Sequence, residues 1–144
     1  MRFMVIRKAD EQTEAGIFPP NAPQVFEAMG NYMEEMVKAG VFLAAEGLQP
    51  SSKGARVVFK DGSPTVVDGP FAETKELVAG WFLIEVRSLD EAIEWTKRWP
   101  RLDGDLTVEI RQVHENEDLA DVLPPAQREK EDRLRAQAAA TQKQ

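Results

Sequence analysis

Apolar side chains occur in short runs along the chain, and the spacing within each run predicts a strand or a helix. The run Arg2–Arg7 holds four apolar residues between two charges, which is typical of a strand buried on both faces. Across Val25–Val37 the apolar residues recur every three or four positions, so they line one face of a helix. We expect this helix to span Pro23–Ala39, with Asn21 as its cap and Gly40 as the left-handed residue that ends it.

The rest of the pattern predicts a hairpin, a second helix and three further strands. Asp61-Gly62 separates two runs rich in β-branched residues, which is a strong turn signal for a hairpin. Ser88 and Glu91 form a capping-box pattern, and the helix that they open is bounded by Pro100. The polar segment between the first strand and the first helix is expected to be flexible. The hairpin is predicted over Ala55–Val67, and the strands over Val41–Leu48, Gly80–Val86 and Leu106–Val113.

This order of elements predicts an α+β fold with an antiparallel sheet. Without the hairpin the order is βαββαβ, the ferredoxin-like layout in which two helices cover one face of the sheet. The second face also needs a cover, because apolar residues occur at both parities of the strands, among them Phe3, Val5, Leu43 and Leu83. A second copy of the chain is the simplest cover, so we expect a homodimer that packs sheet against sheet.

The composition changes beyond His114, where the predicted sheet ends. Residues 126–144 favour a helix by propensity, but Leu134 is almost their only apolar side chain. We therefore predict one domain over residues 1–113, followed by a polar, partly helical tail over residues 114–144 that is either solvated or ordered by a partner.

Charge and composition exclude several classes of function. The net charge of −7 over 144 residues repels nucleic acid and anionic membrane surfaces. The absence of cysteine excludes disulfides and thiolate metal sites, and the single histidine excludes a two-histidine metal motif. The first residues lack the apolar stretch of a secretory signal, and nothing later approaches a membrane span. We expect a cytoplasmic protein without a metal, a cofactor, a nucleic-acid partner or a membrane partner.

Several short motifs carry a resemblance to a known family. They are Glu46-Gly47-Leu48, the run DGPFAETKE over Asp68–Glu76, Gly80, and Leu89–Ala92 with Trp95. From about Arg2 to Val113 the chain resembles the DGPF-motif branch of the YCII-related family. The resemblance implies a bacterial ferredoxin-like protomer in a dimeric α+β barrel, with no general activity assigned to the branch. In better-known YCII proteins a first-helix histidine with an acidic partner is the proposed active site, but the first helix here contains no histidine.

Five residues are candidates for a functional site. Glu46 lies within an apolar strand, and a desolvated carboxylate there would have the raised pKa that suits a general base. Asp68 is the second candidate catalytic acid, with a purely structural role in the following turn as the alternative. Glu73, Lys75 and Trp81 are candidates for substrate binding, Lys75 as an anion anchor and Trp81 as an aromatic wall. For Glu73 and Lys75 the alternative is a surface ion pair or a solvated face.

Two classes of function follow from these candidates. The first is a small-molecule-binding protein or a cofactor-independent enzyme that uses carboxylates for acid/base chemistry. The second is a non-catalytic interaction module whose tail orders on a partner. The resemblance implies sigma-factor signalling as its setting, since genes of this branch often lie beside those for extracytoplasmic-function sigma factors. A pocket lined by Glu46, Lys75 and Trp81 favours the first class, and a filled core with a tail that grips another chain favours the second.

Overall fold

A computed structural model describes residues 1–142, which separate into a unit over Met1–Gln112 and a second unit that begins at Val113. The last two residues of the predicted tail, Lys143 and Gln144, lie outside the described residues. No helix within the described part of the chain is both long enough and apolar enough to span a bilayer. The sheet, the hairpin and the candidate site all belong to the first unit.

A four-stranded antiparallel sheet forms the centre of the first unit. Its strands are β1 (Arg2–Lys8), β2 (Phe42–Gly47), β5 (Val78–Glu85) and β6 (Val108–Gln112), in the spatial order β2-β5-β1-β6. Strands β3 (Ala55–Lys60) and β4 (Ser63–Asp68) pair only with each other, as the predicted hairpin. The helices are α1 (Glu11–Ala15), α2 (Ala22–Lys38) and α3 (Leu89–Thr96). The predicted α+β, ferredoxin-like layout with an inserted hairpin is confirmed, and this sheet does not by itself close into a barrel.

Helix α1 corrects the expectation that the segment after β1 is flexible. Asp10 and Thr13 form a capping box, because each side chain accepts a hydrogen bond from the backbone N–H of the other. Gly16 ends the helix in the left-handed conformation, at φ 70°. The box uses threonine in place of the usual Glu or Gln, and this departure conceals it in the sequence. Helix α1 contains no buried residue.

The core lies between one face of the sheet and helices α2 and α3. Strand side chains Phe3, Val5, Phe82 and Ile84 pack there against α2 and α3, with Tyr32, Met36 and Ala92 as the buried helix residues. The Tyr32 hydroxyl donates a hydrogen bond of 2.6 Å to the carbonyl of Trp95. Burial raises the pKa of Tyr32 to about 12, chiefly because the phenolate would lose its hydration.

The pKa of Tyr32 predicts how stability responds to alkaline pH. The unfolded phenol ionises near pH 10, whereas the folded one keeps its proton to about pH 12. The contribution of Tyr32 to the free energy of unfolding is therefore fully present below pH 10 and is lost as the pH rises towards 12, because the unfolded phenol loses its proton first. Tyr32 is the only tyrosine, so phenolate absorbance reports it alone. We expect a native titration midpoint well above that measured in urea, and coincident midpoints would contradict the buried position.

The opposite face of the sheet carries apolar residues that the helices do not cover. Met4, Ile6 and Leu83 alternate with the core residues along β1 and β5 and are only half-buried. The hairpin adds a second uncovered apolar surface, since Phe59 is 79% exposed and Val66 is 65% exposed. An isolated two-stranded hairpin is marginally stable in water, so both surfaces favour a further covering element.

We predict that a second copy of the chain covers the open sheet face. Light scattering after size exclusion should give about twice the 16.2 kDa chain mass. The substitution Leu83→Glu places a charge on that face and should yield a folded monomer, with circular dichroism as the check on folding. A wild-type monomer at micromolar concentration would contradict sheet-to-sheet pairing.

The second unit contains one long helix, α4 (Pro125–Gln142). No residue of α4 is buried, and Leu134 is 49% exposed. Within this unit the Arg128 guanidinium donates to the carbonyl of Asn116 at 2.9 Å, which ties the start of α4 to the turn that precedes it.

Candidate functional site

A cavity of about 680 Å³ lies at one end of the helix-covered side of the sheet. Strands β1, β2 and β5 form its floor through Arg7, Ala45 and Phe82, and helix α2 forms one wall through Met29 and Met33. Helix α1 and the segment over residues 48–53 form another wall. The volume is within the usual range for sites that bind small molecules.

The wall contributed by α2 and the floor beside it are apolar and aromatic. Met29 and Met33 are one helical turn apart, so both side chains point into the space left beside the core. The rings of Phe82 and Trp99 are in contact, with centroids 5.3 Å apart. Phe18 and Phe26 also line the cavity and are largely exposed. Their ring centroids are 6.0 Å apart. Thioether and aromatic surfaces of this kind accommodate flat apolar ligands.

An ion pair between Arg7 and Asp103 forms the polar end of the cavity. The Arg7 Nε donates to Asp103 Oδ2 at 2.9 Å, and the two side chains are only 13% and 19% exposed. Trp99 Nε1 donates to the same oxygen at 2.9 Å. The second oxygen accepts from Arg7 Nη2 at 3.4 Å. These donors occupy both oxygens of Asp103 and fix the indole, so Asp103 serves to position Trp99.

Glu46 and Trp81 both contribute to the wall of this cavity. They are cross-strand partners in β2 and β5, next to Ala45 and Phe82 on the helix-covered side. The alternation of side chains therefore directs both towards the open face of the sheet. The Glu46 carboxylate is exposed, and within residues 1–142 it makes no hydrogen bond or ion pair.

Asp68, Glu73 and Lys75 do not line the cavity that holds Glu46 and Trp81. Asp68 is the last residue of β4, and Lys75 lies in a single 3-10 turn over Thr74–Glu76. All three side chains are exposed and, within the described residues, form no hydrogen bond or ion pair. The structure thus brings together two of the five predicted site residues and places the other three elsewhere.

The DGPF residues instead pack against the segment that follows β2. Gly69 N–H donates to the carbonyl of Gly54 at 3.0 Å, and Phe71 N–H donates to Ser51 Oγ at 3.1 Å. A Cβ on Gly69 would lie 1.7 Å from the Ser51 carbonyl oxygen, which no side chain can tolerate. The guanidinium of Arg56 covers the ring of Phe71 at 3.9 Å.

This close approach makes Gly69 intolerant of any side chain. We expect Gly69→Ala to lower the free energy of unfolding by at least about 2 kcal/mol, because the backbone of Ser51 must move. Gly30→Ala is the matched control, since Gly30 lies in α2 with nothing within 4 Å of an added Cβ. The control should be neutral or stabilising by up to about 1 kcal/mol. Equal unfolding curves for the two variants in urea would refute the close approach.

Sequence reasoning missed Arg7, Lys53, Trp99 and Asp103 as site residues. Arg7 lies two residues after the buried Val5 in β1, so its side chain points to the same face of the sheet. A charge on the core face at the end of an apolar strand was the signal that could have identified Arg7. Asp103 was indistinguishable from an ordinary turn acid, because its partner is 96 positions away. Within residues 1–142 no group of three or more histidine, cysteine or acidic side chains is arranged to hold a metal.

A family model, a relative and a solved structure are similar to this chain. A family model described as the YCII-related domain matches residues 1–117. An uncharacterised protein of Rhizobium meliloti is 31% identical over 97 residues, which cover 67% of this chain and 78% of that protein. A solved structure of 5-chloro-2-hydroxyhydroquinone dehydrochlorinase from Burkholderia phenoliruptrix, in complex with 2,5-dihydroxybenzoquinone, is similar at a TM-score of 0.45. It is 15% identical, and the match covers 82% of this chain and 99% of that one.

Proposed function

The chain belongs to the YCII-related domain family, and from this premise we propose that it binds a small, mainly apolar aromatic molecule in the cavity beside α2. The observation that carries the proposal is the cavity itself, with about 680 Å³ of space between Met29, Met33, Phe82 and Trp99. An unfilled space of this size lined by apolar side chains costs packing energy, which a bound ligand would restore.

The charges at the cavity favour a ligand that is neutral or carries one charge. Arg7 and Asp103 neutralise each other. The two remaining charged groups in the wall, Glu46 and Lys53, have opposite signs and no ion-pair partner within residues 1–142. An aromatic ring with a hydroxyl or carbonyl group therefore suits this site, because the ring meets the apolar wall while one polar group reaches the charged residues.

Acid/base chemistry, if the ligand is a substrate, falls to Glu46. Glu46 belongs to the lining at the edge strand β2, and its carboxylate is exposed and unpaired within residues 1–142. Because its side chain faces the open side of the sheet, it can act as a general base on a ligand group that reaches past this edge. Asp103 is engaged by three donors, and Asp68 lies outside the wall. Lys53, rather than Lys75, is the lysine that lines the cavity and can orient an anionic group.

Helix α4 supports a second candidate function, that of an interaction module. Its 18 residues contain no buried side chain, and such a helix gains little from its own packing. Binding of a partner by α4 would not require the cavity. A ligand screen on the whole chain therefore separates the two functions.

We expect a thermal-shift screen of small aromatic acids, phenols and quinones to yield ligands that raise the melting temperature. At about a hundred times the Kd, the shift should be roughly 5–10 °C. Met33→Trp fills the cavity and should abolish the shift, whereas Val37→Trp adds the same ring on an exposed position of α2 and should preserve it. Ligands that stabilise both variants equally, or an absence of any ligand, would overturn the proposal.

The role of Glu46 is tested with a ligand from that screen. Glu46→Gln should weaken binding or turnover at least about tenfold while changing stability by less than about 0.5 kcal/mol, because the side chain is exposed and unpaired. Glu85→Gln is the control, an exposed acid of the same sheet that lies outside this cavity. Unchanged binding and turnover in Glu46→Gln would remove Glu46 from the site.

A further inference from the structure

Ser51 connects the DGPF segment to helix α1. Its backbone N–H donates to Glu14 Oε1 at 3.1 Å, and its hydroxyl donates to the other oxygen of the same carboxylate. The hydroxyl oxygen accepts the N–H of Phe71 at 3.1 Å. One serine therefore links three segments that are separate in sequence.

Two of these segments form a wall of the cavity, and the third does not reach it. Gln12, Thr13 and Gly16 of the α1 region line the cavity, as do Pro50 and Lys53 on either side of Ser51. Glu14 and Ser51 lie behind this wall and do not line the cavity themselves. The link between them is thus a support for the wall.

Helix α1 depends on such links because it has little else to hold it. It has five residues and buries none of them, and an isolated helix of that length does not form in water. Its capping box and left-handed end satisfy local backbone groups only. The ion pair between Arg7 Nη2 and Asp10 Oδ2, at 3.6 Å, ties the start of the helix to β1. The bond from Glu14 to Ser51 and the close approach of Gly16 to Pro50 tie its end to the segment after β2.

The DGPF segment in turn holds Ser51 from the other side. The Ser51 carbonyl faces Gly69 at a distance that only glycine permits, and Phe71 N–H fixes the serine hydroxyl. This hydrogen bond directs the hydroxyl proton towards Glu14, because the oxygen is then the acceptor for Phe71. The segment over residues 68–71 therefore determines both the place and the orientation of the group that holds α1.

We infer that Asp68–Phe71 acts as a positioning element for the ligand cavity, through Ser51 and Glu14, and takes no part in chemistry. Ser51 and Glu14 are positioning residues, which fix the α1 wall at the distance from Met29 and Met33 that the ligand requires. The inference rests on the proposed function only in that the ligand occupies this cavity.

Two pairs of variants test the inference. Ser51→Ala removes the link, and Ser52→Ala is its control, an exposed neighbour without a hydrogen bond among the described residues. Glu14→Ala removes the acceptor while leaving the contact of Phe71 with Ser51, and Glu11→Ala is its control on the same helix. The second pair keeps the test valid should Ser51→Ala fail to fold.

The probe is anilinonaphthalene sulfonate, whose fluorescence rises in apolar cavities, used with the full chain well below its melting temperature. Ser51→Ala and Glu14→Ala should each weaken binding roughly three- to tenfold, the scale of an ordinary hydrogen bond, because the lost bond supports the wall and does not contact the dye. The two controls should bind as the wild type does, and the Tyr32 titration should be the same in all five proteins. Hydrogen exchange should accelerate in residues 11–18 of both link variants.

The outcomes separate this inference from the proposed function. Link variants with wild-type affinity and wild-type exchange in residues 11–18 would overturn the inference. Loss of affinity together with a shifted Tyr32 titration would also overturn it, because the damage would then have reached the core. Dye binding that survives Met33→Trp would contradict the cavity as the binding site, and faster exchange in the link variants would still support the positioning role.

Discussion

The packing of a single amphipathic helix on one face of the sheet determines both the stability of this domain and the place of its cavity. Tyr32 and Met36, in the second half of α2, are buried against Phe3 and Ile84. Met29 and Met33, which form the neighbouring row of the same apolar stripe, are only partly buried and line the cavity. The stripe is thus wider than the sheet surface that it can cover, and the uncovered row becomes the wall of the cavity.

The sequence predicted the elements that depend on periodicity and turn chemistry. The stripe of α2, the Asp61-Gly62 turn and the alternation of β6 each depend on neighbours within a few residues, so the pattern is readable locally. The cavity depends on contacts that no local pattern carries. The Met stripe is equally compatible with a filled core, and the pairing of Arg7 with Asp103 spans almost the whole domain.

The DGPF motif illustrates how a specific sequence signal can point to structure rather than to chemistry. The motif is unusual enough to identify a family, and its charged residues invite a catalytic interpretation. In the structure its glycine and its backbone make the contacts, while the side chains of Asp68, Glu73 and Lys75 face solvent. A glycine that must approach another backbone restricts the sequence as strictly as a catalytic group does, because no other residue has the space.

The contact between Arg7 and Asp103 also has a consequence for the order in which the chain acquires its structure. Asp103, which pairs with Arg7 and accepts the hydrogen bond of Trp99, is synthesised 96 residues after Arg7. A nascent chain that ends before Asp103 therefore lacks the carboxylate that pairs with Arg7 and orients the Trp99 indole. The polar end of the cavity therefore cannot form until Asp103 has been synthesised, whereas the α2 stripe and strand β5 precede it in the chain.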